Sequence, residues 1–311
     1  MKYIYIINGR EDKVAAYKEL YDQLKECPHP YELYTTLGEG DATRYVRVYC
    51  DLHPHEEVCF VACGGDGIIN EVASGIVGYG QNQMAALFIG GTTADFLEYY
   101  PGRDFRSVEA MLNGTVKQVD IIRANDSYSI NVCNFGFDAM VASHANDLTR
   151  MGVNPHKAYT RGIIRAMLTN RFNHIKVIVD GKRLAHGLML LCTLSNGKQN
   201  GGEFLCAPYA QNDDGLIEVC YLRSMSLLRL LTLIPVYRRG EHIASKRFRD
   251  KVVYRQAREV EISSNGLFDL CLDGEITPGS HFKITILPKA INFRLPAETI
   301  NVATPQNTVT L

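Results

Sequence analysis

Residues 58–72, Val-Cys-Phe-Val-Ala-Cys-Gly-Gly-Asp-Gly-Ile-Ile-Asn-Glu-Val, place three kinds of structure within fifteen positions. The run 58–63 is short, apolar and rich in β-formers, and paired glycines end it, which predicts a strand buried on both faces. The period then changes. Ile68, Ile69, Val72, Ala73, Ile76 and Val77 recur at helical spacing, so a helix should begin just after Asp66 and Gly67. A loop between a strand end and a helix start exposes unpaired N–H groups at the positive end of the helix dipole, and glycines let an anion approach them. The stretch therefore predicts a phosphate seat at Gly64, Gly65 and Gly67. Asp66 stands inside it, where a carboxylate is repelled by phosphates unless it holds Mg²⁺ or accepts a proton. The competing reading is an ordinary Gly-Asp-Gly turn. The Walker spacing GxxxxGK[ST] and the dinucleotide fingerprint GxGxxG are both missing.

The flanking segments repeat this grammar. A strand over residues 1–7 ends at Asn8-Gly9, and residues 12–26 carry helical periodicity. A second strand over 31–35 precedes Thr36 and a glycine turn, after which Asp41 is placed to cap a helix running to about residue 52. Another apolar strand over 85–89 ends in Gly90-Gly91-Thr92-Thr93-Ala94-Asp95-Phe96. Glycine-terminated strands followed by helices fit an α/β, doubly wound, Rossmann-like sheet, whose ligands gather at the strand carboxyl ends, so the loops should face each other. From Gly114 onward short strands dominate, at 117–123, 128–135, 176–179, 187–194, 216–221, 259–263, 268–272 and 282–287. They predict a second, mainly antiparallel β-sandwich or related barrel, with helices near 139–146, 158–170 and 226–237 as additions. The expected organisation is a nucleotide-binding domain over 1–120, rejoined by 291–311, and a β-sandwich substrate domain over 121–290.

Charge and cysteine usage narrow the partners. Lys plus Arg number 33 against 34 acidic residues, so no global pull toward nucleic acid or anionic membrane exists, and membrane contact has to be local. Nine cysteines without a CxxC pair lie mostly in apolar runs and read as buried thiols of a reducing compartment. No apolar run approaches the roughly 20 residues of a membrane span, and the expected location is cytoplasmic. The segment His53-Pro54-His55-Glu56-Glu57 reads as a solvated loop and not as a metal site.

GGDG followed by Asn70-Glu71-Val72 resembles the diacylglycerol kinase catalytic family, which includes bacterial soluble lipid kinases and is related to sphingosine kinases. Ile68 departs from the threonine usual there. Gly91, Thr92, Asp95 and Phe96 match a second family motif, with Ile89 and Ala94 replacing its Pro and Asn. Asn8 and Gly9 match a third, without its Pro and Ser. Further matches follow in order: Phe135-Gly136-Phe137-Asp138-Ala139, then Asn196-Gly197, Gly201-Gly202, Ala207-Pro208 and Asp213-Asp214-Gly215, and last Leu272-Asp273-Gly274-Glu275. On spacing alone the last two are hairpin turns.

The resemblance implies an ATP-dependent lipid kinase. ATP would lie across Asn8, Gly9, Thr35 or Thr36, Gly64, Gly65, Gly67, Glu71, Gly91 and Thr92, with Mg²⁺ positioned through Asp66. Asp273 would be the general base, with Glu275, Asp66 and Asp95 beside it, and a structural Mg²⁺ would rest on Asp214 and the carbonyls of Gln211 and Leu216. The acceptor would be diacylglycerol or a related lipid met at a membrane surface. The segments 161–176 and 223–251, where basic and apolar residues interleave, read either as its peripheral contact or as helices that simply cover the sandwich with solvated charges. A homodimer is compatible with the sequence. Two other readings are a kinase for a soluble acceptor such as NAD, and a nucleotide-binding regulator without turnover.

Overall fold

The structure is a computed structural model that describes residues 1–9, 17–90, 94–153, 157–158, 161–162, 165 and 173–298. Four parallel strands open the chain: β1 (Lys2–Ile7), β2 (Tyr31–Thr35), β3 (Val58–Cys63) and β4 (Gln83–Phe88). They stand in the order β4-β3-β1-β2, with β1 paired to both β2 and β3. Every residue of β3 and β4 is buried, as a run without alternation requires when helices cover both faces. Between the strands lie α1 (Lys18–Lys25), α2 (Asp41–Leu52) and α3 (Asp66–Ile76), with a 3₁₀ turn at Asp95–Tyr99 and a short α4 (Val108–Leu112) after β4.

Two local expectations need correction. The helix after the GGDG loop starts at Asp66 itself, because Gly65 takes the extended cap position. Asp41 is the first residue of α2 and not its cap. Gly40 holds the cap in the left-handed region, while the Asp41 carboxylate accepts hydrogen bonds from the Leu37 N–H and the Tyr34 hydroxyl.

The second half comprises β5 (Thr115–Ala124), β6 (Ser127–Ser129), β7 (Val132–Gly136), α5 (Phe137–Arg150), β8 (Asn173–Val179), β9 (Lys182–Ser195), β10 (Ile217–Arg223), α6 (Leu227–Arg238), β11 (Val252–Ala257), β12 (Glu259–Leu272) and β13 (Glu275–Leu295). Its pairing is antiparallel throughout, and β9 and β12 each pair with both β7 and β8 over different parts of their length. Ile122, Phe135, Val177, Leu194, Val260 and Phe282 bury into one core there. β11 was missed in the sequence because its exposure does not alternate. Residues 259–263 and 268–272 belong to one strand interrupted by a register shift.

The two halves share a sheet. β13 pairs with β12 and β5 along its length, and its last residues run parallel to β4, with Asn292 opposite Met84. The return toward the first half is thus already under way at 292, inside the strand. The expected helix at 158–170 falls almost wholly outside the described residues. All nine cysteines are free thiols, eight of them buried. No helix among the described residues is long and apolar enough to cross a membrane.

Candidate active site

Two aspartate-bearing turns approach each other from the two halves. The first follows β3. Asp66, at the start of α3, accepts the backbone N–H of Asp95 at 2.8 Å and of Phe96 at 3.2 Å, so the two glycine loops meet through this carboxylate. Asp95 in turn accepts the Gly202 N–H at 2.9 Å and the Gln199 amide at 3.4 Å, which docks the 196–202 loop of the second half against it. Burial pushes Asp66 up to about 7, with the Asp95 and Asp273 charges adding to it, and burial likewise raises Asp95. Desolvation, not mutual repulsion, is the leading cause.

The second turn is the β12–β13 hairpin. Leu272 pairs with Glu275, leaving Asp273 (φ 47°) and Gly274 (φ 98°) as a two-residue connection with both residues in the left-handed region, the geometry that Asp-Gly favours. The turn reading holds, and the turn lies on the wall of a cleft. Asp273 Oδ2 accepts the Ser129 hydroxyl at 2.9 Å and the N–H groups of Ile130 and Asn131 at 2.8 and 3.2 Å, and Oδ1 accepts the Val132 N–H at 2.7 Å. Burial pushes Asp273 up to about 6 against the pull of these donors. Glu275 has no such cradle, and burial, then Glu71, Glu39 and Asp273, push it up to about 7.

Between the turns opens a cleft of about 650 Å³. Asn8, Gly9, Thr36, Gly67 and Glu71 line one side, Asp273 and Glu275 the other, and Asn146 and Asp147 of α5 close the rim. Gly9 is forced, since a Cβ there would sit 2.0 Å from the Thr36 carbonyl oxygen, and its N–H donates to Thr36 Oγ1 at 3.1 Å. Thr36 is therefore the threonine brought to the cleft, whereas Thr35 faces solvent outside it. Glu71 accepts the Ala42 N–H at 3.0 Å near the start of α2, the capping task foreseen for Asp41, while still facing the cleft. Gly64, Gly65, Asp66 and Asp95 lie outside the cleft lining, and Gly91 and Thr92 lie outside the described residues.

Gln211, Asp214 and Leu216 are not part of this cleft. Asp214 Oδ1 accepts the Leu216 N–H at 3.0 Å, and burial with the neighbouring Asp120 and Asp213 charges raises its pKa. Among the described residues no cluster of three or more His, Cys, Asp or Glu side chains could hold a metal. Asp213 pairs with Lys117 at 3.0 Å, which offsets part of the loop's negative charge and leaves Asp214 as the carboxylate that would meet a hard cation such as Mg²⁺.

Sequence reasoning missed Asn70 as a residue with its own task. It is buried at 4% exposure on α3, accepts the Ile130 N–H at 3.1 Å and donates to the Tyr128 carbonyl at 3.2 Å. The helix that carries Asp66 thereby clamps the loop that cradles Asp273. An amide on the buried face of an otherwise apolar helix was the available signal. Asn196 works similarly, donating to the carbonyls of Asp120 and Ile130 at 2.9 and 2.8 Å.

Two family models match the chain in succession. Residues 2–124 match the diacylglycerol kinase catalytic domain, and residues 131–294 match the YegS C-terminal NAD kinase beta sandwich-like domain. Among curated relatives, a YegS-like probable lipid kinase of Enterobacter sp. (strain 638) is 26% identical over 299 residues, covering 94% of this chain and 95% of its own. A diacylglycerol kinase of Staphylococcus carnosus (strain TM300) is 28% identical over 271 residues, covering 86% and 85%. A diacylglycerol kinase of Bacillus subtilis (strain 168) is 25% identical over 272 residues, covering 86% of each. The crystal structure of a candidate diacylglycerol kinase from Bacillus anthracis str. Sterne shares the fold with a TM-score of 0.72 at 20% identity, covering 94% and 95%. Two consecutive domain matches in the family's order, joined by one sheet, make this chain a member of the diacylglycerol kinase catalytic family and a kinase.

Proposed function

We propose that this kinase transfers the γ-phosphate of ATP to the hydroxyl of diacylglycerol or a related lipid. The observation that carries the reading is the cradle of Asp273, a carboxylate fixed by four donors at the wall of a cleft whose other wall is the glycine-ended β1 loop and the start of α3. Phosphoryl transfer needs the acceptor oxygen aligned, the phosphate charge neutralised and the hydroxyl proton removed. Three of the four donors fall on Asp273 Oδ2, so Oδ1 keeps an open lone pair, and the proton of the acceptor hydroxyl moves there as its oxygen bonds the γ-phosphorus and the bond from that phosphorus to the β-phosphate oxygen breaks, releasing ADP. Gly9, Gly67 and Thr36 hold the nucleotide on the facing wall, with the N-terminus of α3 turned toward its phosphates. Asp66 would hold Mg²⁺, which when bound neutralises charge on the transferring group. Gln211, Asp214 and Leu216 would hold a second, structural Mg²⁺ away from the chemistry.

The lipid is met at a membrane surface, since its acyl chains keep it in a bilayer. Transfer of labelled γ-phosphate from ATP to a panel of diacylglycerol, sphingosine, phosphatidylglycerol, monoacylglycerol, undecaprenol, NAD and glycerol in mixed micelles with Mg²⁺ tests the reading. Label in a lipid names the acceptor. Label only in NAD or glycerol would move the protein to soluble acceptors, and ATP binding without transfer to any of them would count for a regulator.

A further inference from the structure

A helix that covers a sheet is apolar on its inner face and polar on its outer one. α6 breaks that rule. Leu230, Leu233 and Tyr237 face inward, buried to 6%, 2% and 6% exposure. Leu228, Leu231, Pro235 and Arg238, at spacings of three and four, form the opposite stripe, and all four are exposed, Leu228 to 78% and Leu231 to 49%. Leu188, 44% exposed on β9, extends the patch, because its carbonyl accepts the Ser224 N–H at the entry to α6.

The charge around this stripe is mainly positive, with Glu203 pairing Arg238 on it at 2.8 Å. Residues 223–251 hold eight Lys and Arg against two acidic residues, a surplus of six positive charges in a chain whose total is -1. Both acids are already engaged, Asp250 by Arg229 and Glu241 by Arg239. Arg229 and Arg247 are gathered over the Phe248 ring, and Lys251 is tied to the Ser224 carbonyl, so these three cations are held at the side of α6.

From this pairing we infer that the outer face of α6 is a docking surface for an anionic lipid bilayer, with Leu188, Leu228 and Leu231 entering the acyl boundary and the cations meeting the headgroups. A second copy of this chain fits poorly, because the two-fold contact would set the same positive surplus against itself. α6 shares its core with α5 through Leu230, Leu233 and Val141, and α5 lines the catalytic cleft, so the docked helix and the cleft rim belong to one packed layer. The inference deepens the lipid-kinase reading and rests on it for what the bilayer delivers.

Sedimentation with vesicles of phosphatidylcholine, with and without phosphatidylglycerol, tests it on the full chain. The protein should bind the phosphatidylglycerol vesicles and lose them at high salt. The double variant Leu228→Gln/Leu231→Gln should bind at least about tenfold more weakly, and Lys246→Gln and Arg249→Gln about fivefold each, with unchanged thermal unfolding. Equal binding to both vesicle types, or a leucine variant that binds like the parent, would overturn the inference. So would a self-associated parent that the leucine variant turns into monomer, which would assign the stripe to a second copy. Turnover on short-chain diacylglycerol dispersed in detergent separates the two readings: vesicle binding without such turnover counts against the kinase acceptor, and turnover without vesicle binding counts against the docking face.

Discussion

Asp66 and Asp273 are both followed by glycine, yet they are held in different ways. Asp66 sits at a strand-to-helix junction and accepts two backbone N–H groups, both from the neighbouring loop of its own half. Asp273 sits at the tip of a hairpin and accepts four hydrogen bonds from Ser129 to Val132, a segment more than 140 residues away in the chain. Burial raises both, and hydrogen-bond donors pull each back. The way they are held separates two tasks. A carboxylate fixed by four donors on a cleft wall suits proton acceptance, while one whose burial is aggravated by the Asp95 and Asp273 charges suits a cation that compensates it.

Replacing Asp273 should break the comparison most completely. Asp273→Asn keeps the size but loses the proton acceptor, and transfer should fall by about 10²–10⁴ while ATP affinity, read by titration calorimetry, stays within a few-fold. A comparable loss of ATP affinity would place Asp273 in nucleotide binding instead. Asn70 tests whether the two turns act together. Asn70→Leu should lower kcat about tenfold with little change in the KM for ATP, and in a double-mutant cycle it should add little to Asp273→Asn, since it acts through the Ile130 loop. Full additivity would reduce Asn70 to a stability residue.

The pH profile sharpens the difference further. The base must be ionised, so kcat/KM should rise with pH through about 6 and level off above it, and Asn70→Leu should shift that limb, because Ile130 N–H would then serve Asp273 alone. The smallest effect concerns Glu275, whose raised pKa means that the folded state binds its proton more tightly than the unfolded state. Its ionisation therefore costs stability as pH rises from about 4.5 to about 7, and Glu275→Gln should be about 1–3 kcal/mol more stable than the parent at pH 8. At pH 4 the two should unfold alike in denaturant titrations, and a gain persisting there would point to packing.

The first half of the fold was legible because its signals are local. The unbroken apolar runs of β3 and β4, the glycines ending them and the switch to helical period each lie within a few residues, and physics ties each to one structure. The turn at Asp273 was legible as a turn, and the resemblance pointed to it as a site. Its cradle was not, because no local pattern in Ser129-Ile130-Asn131-Val132 marks four donors converging on a distant carboxylate. Asp41 failed as a cap for the same reason. The competing acceptor, Glu71, comes from another helix and cannot be weighed until α2 and α3 are packed.

By itself, then, the sequence determined the parallel sheet, the glycine loop at the start of α3, the β-rich second half and the kinds of residue that gather at strand ends, since each follows from periodicity and backbone freedom over short distances. Only the tertiary structure decided that Thr36 and not Thr35 reaches the cleft, that Asn70 binds the two halves together, and that α6 keeps leucines on its outer face. Those outcomes depend on which surfaces meet, and burial and hydrogen bonding between residues far apart in the chain take their values only once it has folded.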